Sequence, residues 1–266
     1  MTKATSDQIV VSELVEKVKW VRFNRPHVKN AIGPDSADLV REELESAADE
    51  GARVVVLSGN GGSFCSGADL KALGSNLGDF TGVRDVLVKH YHPLIKTIVE
   101  LPLPVIGAID GAAAGIGADI ALATDLRLMS DRGFLSEIFV NISLIPDGGG
   151  TFHLPRLVGL ARAMEMAMTG LRVHAAQAVD WGLANYVYAA EEFQTEVQIF
   201  AQELATKAPL SLARSKRAMR AALDAGTLKE ALTREADLQQ ELFTTQDFQE
   251  GVMAFLEKRD ANFQGQ

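Results

Sequence analysis

Twice in this chain an apolar, β-branched run ends in a cluster of glycines and then opens what reads as the start of a helix. The first junction is Val54-Val55-Val56-Leu57, then Gly59 to Gly62, then Phe64-Cys65-Ser66-Gly67-Ala68-Asp69-Leu70. The second is Val105-Ile106-Gly107-Ala108-Ile109, then Gly111-Ala112-Ala113-Ala114-Gly115-Ile116-Gly117-Ala118-Asp119. Glycine has no Cβ, so backbone there can approach a ligand closely. Where a strand turns into a helix, the first amides of the helix lack partners of their own. Two such junctions side by side can aim two N–H groups at one oxygen, which is what a developing oxyanion requires. A dinucleotide site is the weaker reading, because Ile120 stands where the third glycine of G-x-G-x-x-G belongs.

The bulk properties narrow the class. A chain of 266 residues can form one large domain or two small ones, and at 47% hydrophobic it can bury a substantial core. No run approaches the roughly 18 apolar residues of a membrane span. Met1 to Gln8 is polar and lacks the apolar stretch of a signal peptide. The single Cys65 cannot form an internal disulfide, which fits a reducing compartment. A cytoplasmic location is therefore expected. The net charge of −9 argues against general nucleic-acid binding. Cysteine and histidine show no metal-site spacing, so no metal is expected.

Along the chain, 9–14 and 17–23 read as a β-hairpin. Residues 34–49 read as a helix with Pro34 in its first turn. Strands are expected at 53–58, 104–109 and 126–129, with a helix at 83–99 despite Pro93. This alternation predicts an α/β architecture with a parallel sheet. After Pro155 the helical pattern dominates, at 162–168, 175–181, 193–206, 211–223, 228–244 and 248–258. A soft boundary is placed near residue 195, giving an α/β core over 1–195 and a helical region over 196–266. The basic run Arg214, Lys216, Arg217 and Arg220 reads as a solvated helix face. Cys65 reads as a small buried residue, and the two tryptophans as packing residues.

The order of motifs along the chain resembles the crotonase family, the enoyl-CoA hydratase/isomerase superfamily. The segments that carry the resemblance are Asn24-Arg25-Pro26, Gly62 to Leu70, Pro104 to Ala108, Ile145-Pro146-Asp147-Gly148-Gly149-Gly150-Thr151, and Leu154 to Gly159. Ala163-Met164-Glu165, Trp181-Gly182-Leu183 and the tail Glu250 to Arg259 add to it. Among its branches, the Pro-Asp-x-Gly-Gly-Thr turn and the C-terminal run are most similar to the ring-epoxide phenylacetyl-CoA isomerases. The resemblance implies a superhelix of β-β-α turns with C-terminal helices that form trimers, singly or as a dimer of trimers. It also implies an acyl-CoA thioester substrate and no separate cofactor, coenzyme A being part of the substrate.

Carried over residue by residue, the resemblance puts two oxyanion donors at the amides of Ala68 and Ile116, where an isoleucine side chain narrows the pocket. The first hydratase acid falls on Asp119. The second falls on Phe139, which cannot move a proton but would dry the site and contact an apolar acyl chain. The isomerase acid falls on Asp147, although Pro-Asp-Gly on its own is a favoured turn. A single carboxylate can take a proton from one carbon and return it to another, and a dry setting would raise its pKa. His92 aligns with a histidine near the substrate ring in aromatic acyl-CoA dehalogenases, whose nucleophilic Asp aligns with Asp147. Its neighbour His90 reads as a packing or surface residue. For coenzyme A the resemblance points to Arg25, Lys29, the stretch Ala68, Asp69, Leu70 and Lys71, and to Phe255 and Lys258 reaching a neighbouring subunit. The expected chemistry is a double-bond shift through a thioester enolate, with Asp147 as main base. Hydration led by Asp119, nucleophilic catalysis by Asp147, and acyl-CoA binding without chemistry are the alternatives.

Overall fold

The computed structural model describes residues 8–70 and 82–266. Residues 74–81 with Phe80, which on the family resemblance would line the acyl end of the pocket, and the expected coenzyme A contact Lys71 lie outside the described residues. The hairpin forms as β1 (Val10–Val15) and β2 (Val18–Phe23), paired antiparallel. A six-stranded sheet then runs β1-β2-β3-β4-β6-β9, with β3 at Val54–Gly59, β4 at Val105–Ile109, β6 at Leu126–Ser130 and β9 at Tyr186–Tyr188. All pairings beyond the hairpin are parallel.

Side chains of a strand alternate between the two faces of a sheet, and both faces here are covered. Val55, Leu57, Val105 and Ile109 enter the large core on the helical side. Val54, Val56, Ile106 and Ala108 enter a second core on the back. That is why the strands read as unbroken apolar runs rather than as alternating ones. The front layer contains α1 (Pro34–Glu45) and a longer helical segment made of α2 (Val83–Val86), a π-helical turn (Leu87–Tyr91) and α3 (His92–Glu100). The π turn lets Pro93 enter at the start of α3, where its missing N–H costs no intrahelical bond.

A smaller sheet, not foreseen from the sequence, joins β5 (Ala112–Ala114), β7 (Phe134–Ser136) and β8 (Arg172–His174). It holds up α4 (Ile116–Ala123), whose eight residues are all buried. A helix with no polar face needs cover all round, and it is enclosed by β5, α3 and α5 (Gly150–Thr169). The last is far longer than the 162–168 expected, and Gly159, at φ 75°, breaks it in the middle. A short α6 (Ala175–Trp181) follows.

The helix α7 (Phe193–Ala205) places Phe193, Val197, Ala201 and Ala205 on the back of the sheet. Beyond it come α8 (Pro209–Ala222), α9 (Leu228–Phe243) and α10 (Gln246–Glu257). The basic run on α8 is not a solvated face as a whole. Lys216 Nζ donates to the carbonyls of Ile98 (2.9 Å) and Leu103 (3.1 Å) and pairs with Asp125 at 2.8 Å. Arg220 donates to the Ala123 carbonyl and to Asp125, each at 2.8 Å. These two cations satisfy carbonyls at the ends of α3 and α4, where helix ends leave acceptors orphaned and carry partial negative charge. Arg217 of the same run is exposed.

Candidate active site

The two glycine junctions lie against each other. Cys65 and Ala113 form a parallel β-bridge: the Cys65 N–H donates to Ala112 O and the Ala114 N–H to Cys65 O, both at 3.0 Å. Two residues further on, Gly67 faces Gly115. A Cβ on Gly67 would stand 3.0 Å from the Ala114 carbonyl oxygen and 4.0 Å from Gly115 Cα. Gly117 is needed because a Cβ there would overlap the Cys65 carbonyl. Ala68 and Ile116 therefore leave this pairing side by side. Neither amide N–H has an acceptor among the described residues. Ile116 opens α4, so its N–H belongs to a helix end whose dipole favours negative charge.

The Ile116 side chain is buried, and a Cβ on Gly148 would overlap its Cδ1. It thus packs under the Pro146–Gly150 turn. The Phe139 ring stands beside Gly115, with Cζ 3.8 Å from where a Cβ on that glycine would be. Phe139 is 7% exposed. Cys65 is fully buried and its thiol is pushed up to about 12 by desolvation, so it is an inert packing residue.

Three acids meet at that turn. Asp119 Oδ2 accepts the Gly148 N–H at 2.7 Å, which ties α4 to the turn. A Cβ on Gly150 would collide with Asp119 Oδ1 and lie 3.1 Å from Glu137 Oε1. Asp119 and Glu137 are both 0% exposed, whereas Asp147 is half-buried. Burial raises all three carboxyls. Asp119 is pushed up to about 7, with the nearby charge of Asp147 adding to burial and backbone N–H groups opposing it. Glu137 is raised well above the usual carboxylate range by burial and then by Asp119. Asp147 is raised by burial and held back by His92.

Glu137 is a buried acid that the sequence reading did not name. That reading found an acid missing at Phe139, but a buried carboxylate stands two residues earlier. The available signal was a charged residue ending the strand Phe134-Leu135-Ser136 inside an otherwise apolar stretch. His92 Nε2 donates to the Asp147 carbonyl at 3.0 Å, so His92 and Asp147 do come together. His90 instead contacts Asp38 on α1 at 2.7 Å. His153, under Gly149, was also not foreseen. Burial and then the charges of Arg220, Arg127 and Arg156 lower it to about 4, leaving it neutral.

The expected coenzyme A residues are spread more widely. Arg25 is joined to Asp69 at 2.7 Å and to the Ala31 carbonyl at 3.0 Å. Lys29 and Leu70 are exposed near the first junction. Phe255 is 83% exposed on α10, and Lys258 ends that helix at φ 54°. Among the described residues no cluster of His, Cys, Asp or Glu could hold a metal ion, and no helix is long and apolar enough to cross a membrane.

Two facing strand-to-helix junctions on a layered α/β frame, each with an amide that has no acceptor among the described residues, and a buried acid cluster beside them are features that suit an enzyme of acyl or proton transfer. Comparison with known proteins narrows this. The family model for enoyl-CoA hydratase/isomerase matches residues 13–266. A probable enoyl-CoA hydratase of Rhodobacter capsulatus is 39% identical, over 95% of this chain and 96% of that protein. The 1,2-epoxyphenylacetyl-CoA isomerase of Escherichia coli is 34% identical, over 97% and 99%. A crystal structure of a putative enoyl-CoA hydratase from Streptomyces coelicolor superposes with a TM-score of 0.91 at 31% identity, over 100% and 98% of the two chains. The chain belongs to the enoyl-CoA hydratase/isomerase family, of crotonase fold, and is an enzyme that processes acyl-CoA thioesters.

Proposed function

We propose that this enzyme shifts a double bond in an acyl-CoA by proton transfer through a thioester enolate. The thioester oxygen sits between the Ala68 and Ile116 amides, and Asp147 removes a proton from one carbon and returns it to another. The observation that carries this is the unequal exposure of the three acids. Asp119 and Glu137 have no exposed surface, while Asp147 is half-buried, with its Oδ1 buried and without a donor among the described residues. A raised carboxyl is also a better base near neutral pH than an ordinary one. Phe139 beside Gly115 keeps water away from the enolate.

Asp119 supports Asp147 by holding its turn rather than by activating water. Arg25, Lys29, Asp69 and Leu70 line the coenzyme A end. Phe255 and Lys258 serve a neighbouring subunit's ligand in a trimer or a dimer of trimers. No cofactor beyond the substrate's own coenzyme A takes part, and the enzyme works in the cytoplasm.

The test is incubation with 2-enoyl-, 3-enoyl- and ring-containing acyl-CoAs in deuterated water, read by mass spectrometry. A moved double bond with deuterium exchanged into the acyl chain is expected. Gain of a whole water that survives Asp147→Asn would replace this reading with hydration. Oxygen-18 entering the Asp147 carboxyl during turnover would replace it with nucleophilic catalysis.

A further inference from the structure

Beneath the turn that carries Asp147 lie two carboxyls that pair with no cation among the described residues. Asp119 comes from the first turn of α4 and Glu137 follows the end of β7. Both are fully buried. Asp119 Oδ2 takes the Gly148 N–H, but Asp119 Oδ1 and both oxygens of Glu137 find no donor among the described residues. Both acids close on Gly150, with Asp119 Oδ1 and Glu137 Oε1 flanking the place a Cβ would occupy. The arginines that act on His153 have other partners: Arg127 bonds the Leu183 and Thr124 carbonyls, Arg220 bonds Asp125, and Arg156 bonds the Phe152 carbonyl. Two adjacent carboxyls in a dry interior without a counter-ion do not both ionise. Backbone N–H groups favour the charged form of Asp119. Glu137 receives none, so the proton belongs on Glu137.

We propose that Glu137 stays protonated in the folded enzyme and donates its O–H to Asp119 Oδ1, and so acts as a positioning residue for the Asp147 turn. The chain of support runs from Glu137 to Asp119, from Asp119 to the Gly148 amide, and from there to Asp147. Asp119 on α4 and Asp147 on the turn are the charged groups that act on Glu137, and His92 on α3 acts on Asp147. The role needs a donor at residue 137 and not a mobile proton. Its link to catalysis rests on Asp147 being the base, while the location of the proton does not.

The test has two readouts on the full-length enzyme. In the first, carbon-13 labelled Glu and Asp carboxyls are titrated by NMR from pH 5 to 8, with Glu137→Gln used to assign the resonance. Glu137 is expected to keep the shift of a protonated acid through pH 7. A Glu137 carboxyl that ionises below pH 6 would overturn the proposal. In the second, kinetics are compared across pH. Glu137→Gln, which keeps an N–H donor, should stay within about twofold of wild type in kcat and keep the acid limb of the profile. Glu137→Leu should lose roughly tenfold or more in kcat with KM changed less, because the base is displaced. Glu137→Gln as inactive as Asp147→Asn would overturn positioning, since the proton itself would then have to move. If Glu137→Leu does not fold, the titration and Glu137→Gln still decide. An enzyme that adds water while Glu137 stays protonated would sink the isomerase reading and leave this one standing.

Discussion

At the scale of single residues the site divides into one half-buried acid and a fully buried pair beneath it. Asp147→Asn removes the proposed base while keeping the size of the side chain. We expect kcat to fall by about 10²–10⁴ with little change in KM, as is usual for loss of a general acid–base group. The same burial has a consequence for stability. Asp119 is raised from 3.8 to about 7 on folding, so between those values the folded chain holds a proton that the unfolded chain has lost. Its contribution is complete below about pH 4 and is lost as pH rises through about 7. His153 acts the other way: its lowered value makes its contribution fade as pH falls from about 6.5 towards 4. Subtracting a variant isolates the Asp119 share. Urea unfolding at pH 5.5 and 8 should show the gap between wild type and Asp119→Asn moving against wild type at the higher pH. A gap independent of pH would mean that Asp119 folds as an ordinary ionised carboxylate.

At the scale of elements, the docking of α8 onto the ends of α3 and α4 depends on two cations. The Lys216 side chain is 9% exposed and serves the Ile98 and Leu103 carbonyls and Asp125 at once. Lys216→Ala takes this donor from the Ile98 and Leu103 carbonyls and leaves Asp125 with Arg220 and the Val105 N–H, a loss of about 1–3 kcal/mol. The check is the denaturation midpoint, with Arg217→Ala, on the exposed side of the same helix, expected to change it little. This contact also marks where reading the sequence stops. A run of basic residues at helical spacing looks the same whether it faces water or a set of orphaned carbonyls. What was legible were patterns with a local cause: the hairpin, the buried strands, the two glycine junctions and the Pro-Asp-Gly turn. The small sheet of β5, β7 and β8 was not, because three-residue strands leave no period to detect. Glu137 was missed for a related reason. Counting along the chain led to Phe139, whereas the chain's path after β7 brings residue 137 to Gly150.

At the scale of the whole molecule, the C-terminal helices leave a large apolar surface. Leu228, Leu232, Met253, Phe255 and Leu256 are 76%, 53%, 48%, 83% and 68% exposed, on α9 and α10. Clustered exposure of this kind marks an interaction surface rather than chance. The tail folds back beside it: Arg53 bonds the Phe263 carbonyl, and Asp247 accepts the amides of Gln264 at 2.6 Å and Gly265 at 2.8 Å. These bonds fix the far end of the chain to α10 and the core, so the apolar face is presented on a rigid support. If subunits meet through it, a double change of Phe255→Ser and Leu256→Ser removes two large apolar side chains from the contact. Each is worth about 1.5–3 kcal/mol if fully buried. Light scattering after size exclusion should then show wild type at a multiple of three subunits and the variant as a 28.6 kDa monomer. Circular dichroism of the variant should match wild type, since both side chains are exposed within a single chain. If Phe255 and Lys258 also serve a neighbour's ligand, KM for the acyl-CoA should rise in the variant more than kcat falls. A monomeric variant with unchanged KM would separate assembly from binding and leave α10 a purely structural contact.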